Sequence, residues 1–260
     1  FLEMIMSRRM VPLLLTLVFA LLTGPVFAAD EEPTASEKAE EFAKDFKKTI
    51  KKKSSAEQME GVDRLIADWT NKEVTEKGAK KAIREALSEA TVVKDKTVIS
   101  HTMKKVSVMG EDAVMLVLPT LQRELGKKAP DETIYETALA TLGKIASENK
   151  AVIKQLTKLL KDKDNEIVGL AARTIAGYGN SPGKVRKELF EELLKSSEGV
   201  YSGFNSSNPN MERKWNVIGE DVNDALSKLA HVKLSDPGVA RKWFNENKKK
   251  SWDPQPTKDK

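Results

Sequence analysis

The stretch "LLKDKDNEIVGLAARTIAGYG", residues 159–179, supports two unrelated readings. Asp162, Asp164 and Glu166 stand at alternate positions, as at the start of a calcium loop. The same residues also read as the end of one apolar helix, a polar turn and the start of another. An EF-hand loop opening at Asp162 needs glycine at its sixth position and a bidentate glutamate at its twelfth. This chain has Ile167 and Arg173 there. As a turn, the run lets Asp164 or Asn165 cap the exposed amides of the second helix. The stretch is a joint between helices, and the question becomes how often that joint recurs.

It recurs along most of the chain. Helices opening at Val98, Ile134, Ile167 and Ile218 are offset by 36, 33 and 51 residues. Four residues on stand Thr102, Ala138, Ala171 and Val222, and eight residues on stand Val106, Leu142, Ile175 and Leu226. Eleven residues on stand Met109, Ile145, Tyr178 and Leu229. A preceding helix aligns through Val114/Leu118, Val152/Leu156 and Val185/Leu189. The unit is a helix pair that cannot bury its apolar face alone, so neighbours must stack. The enlarged last offset reads as a loop insertion, residues 196–213, "SSEGVYSGFNSSNPNMER". Aromatics make up only 6% of the chain and charged residues 32%, which favours helices over a β-rich core. No segment alternates strictly enough for a strand.

"VLPTLQREL" at 117–125 and "DETIYETALATLGKIA" at 131–146 resemble the two helices of a HEAT repeat, a member of the armadillo-like α-solenoids. Pro119 stands where that family's first helix bends, and Ala138, Leu142 and Gly143 where its second helix packs inward. The basic residue common near the start of the second helix is replaced by Ile99, Tyr135 and Val168. The resemblance covers roughly residues 76–230. It implies an all-α fold, a right-handed α-α superhelix of about five helix pairs with capping helices, and binding as the usual role.

Residues 6–30, "MSRRMVPLLLTLVFALLTGPVFAAD", have the three parts of a secretory leader. Arg8 and Arg9 precede an apolar run from Met10 to Leu22, and Val26-Phe27-Ala28 offers small residues for cleavage after Ala28. The apolar run is shorter than the ~20 residues a membrane span needs. The expected address is therefore exported, periplasmic or extracellular, in a bacterial host. The expected organisation is upstream residues plus leader (1–28), polar lead-in and N-terminal capping helices (29–75), repeats (76–230), and a C-terminal capping helix with polar tail (231–260). Trp215, Trp243, Phe244 and Trp252 are expected to cluster in that cap.

Catalytic chemistry finds little support. The chain has no cysteine, which removes thiol nucleophiles, thiolate metal sites and disulfides. His101 and His231 have no companion at ligand spacing, and no nucleophile elbow or phosphate-binding glycine loop appears. A net charge of +5 arises from 44 basic and 39 acidic groups closely interleaved, which does not indicate nucleic acid. The expectation is a protein without catalytic residues, metal or cofactor.

Binding is expected on the second-helix face opposite the core. Aligning the repeats places Lys104, Lys144 and Arg173 towards one end and Glu220, Asp221 and Asp224 towards the other, a dipolar groove for a protein or peptide. Tyr201 and Phe204 on the 196–213 insertion add exposed contact area. The alternative is attachment to anionic lipid or cell-wall polymer through the helix bearing Lys44, Lys47, Lys48, Lys51, Lys52 and Lys53.

Overall fold

Polar caps and apolar stripes divide the chain into eleven α-helices, with no strand, across residues 32–253, the part described by the computed structural model. The leader expected at 1–28 lies outside the described residues. In chain order the helices are α1 (Ala35–Thr49), α2 (Ser55–Thr70), α3 (Lys77–Ala90), α4 (Lys96–Val106), α5 (Glu111–Leu125) and α6 (Glu132–Ile145). They continue as α7 (Lys150–Leu159), α8 (Asn165–Ala176), α9 (Gly183–Asn205), α10 (Pro209–Ala230) and α11 (Pro237–Asn247).

Each second helix starts on a residue that competes with helix formation inside but favours its first turn. Ser54 forms a reciprocal capping box with Glu57 before α2. Asp95, Asp131, Asp164 and Asn208 accept backbone N–H bonds at the starts of α4, α6, α8 and α10. The acidic run of the deciding stretch is used the same way. Asp162 accepts the Asp164 amide at 3.0 Å, and Asp164 accepts the Glu166 amide at 2.9 Å. Those carboxylates organise a turn.

The helices pair as α1/α2, α3/α4, α5/α6, α7/α8 and α9/α10, five pairs closed by α11. Second helices α2, α4, α6, α8 and α10 pack each on the next along the whole stack. First helices stack closely at the α1–α3 end and more loosely in the middle. From α4 to α10 the second helices are the more closely packed layer, which puts them on the inside of the curve over that part of the stack. The residues expected as N-terminal caps thus build a pair in the same register, and α11 is the C-terminal cap. No helix among the described residues is long and apolar enough to cross a membrane.

The repeat columns are the core. Val98, Ile134, Ile167 and Ile218 are buried, as are Val106, Leu142, Ile175 and Leu226. The last column varies: Met109, Tyr178 and Leu229 are buried, whereas Ile145 is half-buried. Tyr178 is fully enclosed and its hydroxyl has no hydrogen-bond partner among the described residues. Burial, with a contribution from Glu111, pushes that phenol far above its ordinary range. An orphaned buried hydroxyl costs about 1–3 kcal/mol. Tyr178→Phe should therefore raise the urea midpoint, by up to about 1 kcal/mol of stability after the small void left behind is subtracted. A lower midpoint would show that the hydroxyl has a partner in solution.

The caps also give the stability a pH dependence. The Ser55 hydroxyl and the Thr97 amide hold the Asp95 carboxyl below its usual value, and the Lys96 ammonium does the same for Asp131. A depressed carboxylate contributes stability that is fully present above its unfolded value near 4 and is lost as pH falls through the lower folded value. Tm should stay level from about pH 7 to 5 and fall below about pH 4, less steeply in Asp131→Asn. Melts that are flat down to pH 2.5 would contradict this.

The segment 196–213 is not a loop. It is the end of α9 and the start of α10, with a short turn around residues 206–208. Its glycines read as helix breakers, yet isolated glycine costs only about 1 kcal/mol in a helix. Burial of Val200 and partial burial of Tyr201, Phe204 and Met211 outweigh that cost. Gly203 has a packing role, because a Cβ there would lie 2.5 Å from Met211 Cγ. The actual turn is set by Ser207 at φ 58° and by Asn208, whose side chain accepts the Asn210 and Met211 amides, with Pro209 at the first helical position.

Candidate functional site

The concave face holds a groove of about 1000 Å³ that runs across α4, α6, α8 and α10. Small residues make up much of its lining, among them Thr137, Ala140, Thr141, Gly143 and Gly177. Two of these set the helix spacing. Thr141 Oγ1 donates to the Met103 carbonyl at 3.1 Å, tying α6 to α4. Gly177 stands so close to α6 that a Cβ would fall 2.1 Å from the Gly143 carbonyl oxygen.

Lys104, Lys144, Arg173 and Asp224 all line this groove, so four of the eight expected partner-binding residues come together. Each of the three cations lies in the last turn of its second helix, α4, α6 or α8, and Lys228 repeats the pattern on α10. A cation there also offsets the negative end of the helix dipole. The stripe is thus legible in the sequence as a basic residue near the close of each second helix.

The charge gradient expected along the groove is largely cancelled within the molecule. Arg173 on α8 donates through Nε and a terminal amine to Asp221 on α10, at 3.0 and 2.9 Å. Lys228 pairs with Asp224 at 2.8 Å. Asp221 therefore acts at the rim as a strut between helices, and Glu220 is exposed beside it, outside the groove lining. Stacking adjacent repeats brings opposite charges within reach, which no single helix can show. At the other end Asp63 of α2 lies 2.9 Å from His101 Nε2 and 2.8 Å from Lys105 Nζ of α4. Burial alone would raise the Asp63 carboxyl, but hydrogen bonds from Lys105 and His101 outweigh it and hold it low. Lys104 and Lys144, between these two struts, enter no ion pair among the described residues.

Tyr201 and Phe204 do not line the groove. They lie on α9, half-buried, stacked on each other at 6.1 Å and packed on Trp215 at 4.9 and 6.4 Å. Trp215 accordingly belongs to this cluster and not to the C-terminal cap, where Trp243, Phe244 and Trp252 surround Phe190. The repeat alignment gave no means of finding His231 and Asn180, which also line the groove. Both lie in the turns that follow second helices, where the apolar period has ended. His231 closes α10 at φ 56° and sets its Nε2 2.6 Å from the Gly179 carbonyl.

The lysine-rich α1 is also partly neutralised. Lys47 meets Glu85 at 2.7 Å and Lys51 meets Glu89 at 3.1 Å, both carboxylates belonging to α3. Lys44 pairs with Glu40 on its own helix at 2.5 Å.

The chain matches no protein-family model and no curated protein. Two crystal structures of engineered proteins from the Northeast Structural Genomics Consortium are similar to it. One is 18% identical, with 81% of this chain and 90% of that chain covered and a TM-score of 0.43. The other is 20% identical, with 88% of this chain covered, and the chain spans 60% of its length at a TM-score of 0.39.

Proposed function

We propose that this chain is an exported, non-catalytic scaffold of HEAT-repeat type that binds another protein or peptide through its concave second-helix face. The observation that carries the reading is the groove across four successive second helices, lined by Lys104 and Lys144, which enter no ion pair among the described residues. A long concave surface lined largely by small residues suits a chain laid across the helices better than it suits a compact small molecule. Export is supported by the leader-like run at 6–30. Attachment to anionic lipid or wall polymer through α1 has less support, because Lys44, Lys47 and Lys51 already face carboxylates.

The test is crosslinking of the tagged mature chain in its native host, beside the double variant Lys104→Glu/Lys144→Glu. A specific partner should be recovered with the unaltered groove and fall by about tenfold or more with the variant, since like-charge contacts cost several kcal/mol. Equal recovery from both would remove the groove from the binding surface.

A further inference from the structure

We infer that the α4–α6–α8 part of the groove takes an extended acidic segment of the partner, whose carboxylates pair with Lys104 and Lys144. This rests on the concave-face reading and narrows it to one stretch and one chemistry. The argument is charge complementarity left unfilled. The groove lining carries four fixed cations (Lys104, Lys144, Arg173 and Lys228) against two carboxylates (Glu136 and Asp224). At the α10 end the charges are used internally, Arg173 by Asp221 and Lys228 by Asp224. The positive surplus therefore concentrates where α4 and α6 adjoin. Glu136, the one acidic lining residue there, forms no ion pair with either lysine among the described residues.

The lining points to an extended occupant. The residues that α6 contributes to the lining include the small Thr137, Ala140, Thr141 and Gly143, and Gly177, just after α8, lets the chain approach α6 closely. Second helices stacked 8–10 Å apart put α4 and α8 roughly 20 Å apart, a span that about six extended residues cover. A peptide of that length crossing the helices can present carboxylates to both lysines.

Fluorescein-labelled twelve-residue peptides provide the test, with serine alternating with glutamate, with lysine or with glycine, titrated by anisotropy against the full mature chain. The glutamate peptide should bind, and more weakly as NaCl rises, because exposed charges are screened over a Debye length of about 10 Å at 0.1 M. Lys104→Glu/Lys144→Glu should weaken it by about tenfold or more. Lys48→Glu/Lys52→Glu, at the end of α1 and in the turn after it and of equal net charge, should leave it unchanged. Equal weakening by both variants would mean non-specific attraction to a basic protein, and would overturn the site. Binding of the glycine or lysine peptide in preference, lost in the groove variant, would overturn the acidic chemistry while leaving the concave-face reading intact. No binding of any peptide, with a groove-dependent partner still captured in the host, would overturn the extended-acidic inference alone.

Discussion

Phe190→Ala should destabilise this protein more than any groove substitution, and should do so from the C-terminal end. Phe190 lies on α9, fully buried, with its ring 5.4 Å from Phe244, 5.5 Å from Trp243 and 5.4 Å from Trp252. Truncating a buried phenylalanine costs about 3–5 kcal/mol. Stability of a natural domain is only about 5–15 kcal/mol, so the loss is a large share. The consequence is directional because each element of a stacked array touches only its neighbours. What Phe190 holds is α11 and the segment after it. Other ties there are polar. The buried Arg186 donates to the carbonyls of Ser181, Leu229 and Trp252, Lys187 reaches the Lys248 carbonyl, and Arg241 makes a two-pronged pair with Glu198. These fix geometry, but the apolar cluster supplies the burial. Tm should drop by roughly 6–20 °C for a domain of this size. Acrylamide quenching of tryptophan fluorescence should rise before global melting. A Tm within about 2 °C of the parent, with unchanged quenching, would show that the cap does not depend on this ring.

Gly177→Ala should weaken the stack, whereas Gly199→Ala should strengthen it, although both replace glycine in a helical stretch. Alanine gains about 0.5–1 kcal/mol over glycine inside a helix. At Gly199 nothing lies within 4 Å of the added Cβ, so that gain should appear undiminished. At Gly177 the Cβ would lie 2.1 Å from the Gly143 carbonyl oxygen, 2.8 Å from its carbon and 3.1 Å from its Cα. Those are backbone atoms of α6, which cannot swing aside as a side-chain tip can. Separating α6 from α8 costs about 1–3 kcal/mol, more than the propensity gain. The urea midpoint should fall for Gly177→Ala and rise for Gly199→Ala. If the concave face binds as proposed, Gly177→Ala should also weaken partner capture by widening the groove. Equal midpoints for Gly177→Ala and the parent would show that the two helices are not in close contact at this point.

Much of the architecture was legible before any coordinates. The four aligned positions Val98, Ile134, Ile167 and Ile218 are buried, and Asp95, Asp131 and Asp164 cap the helices that open beside the first three, whereas Ile218 lies in the middle of α10, which opens at Pro209. These are local signals, carried by a period of 3.6 and by side chains that bond their own backbone. The basic residue in the last turn of each second helix from α4 to α10 was equally visible. The 51-residue spacing before Ile218 was misleading, because longer helices and a loop insertion lengthen the repeat identically. Deciding between them required knowing that Tyr201 and Phe204 find Trp215, and Gly203 finds Met211, across the α9–α10 pair.

The sequence by itself determined most of the helices, their pairing and the place of Lys104, Lys144 and Arg173 on second helices, because each follows from spacing within a repeat. Only the tertiary structure decided which of those charges remain available. Arg173 meets Asp221 across 48 residues and Lys47 meets Glu85 across 38. Whether such charges pair is set by the distance between stacked helices, and Coulomb attraction falls with that distance, not with separation along the chain.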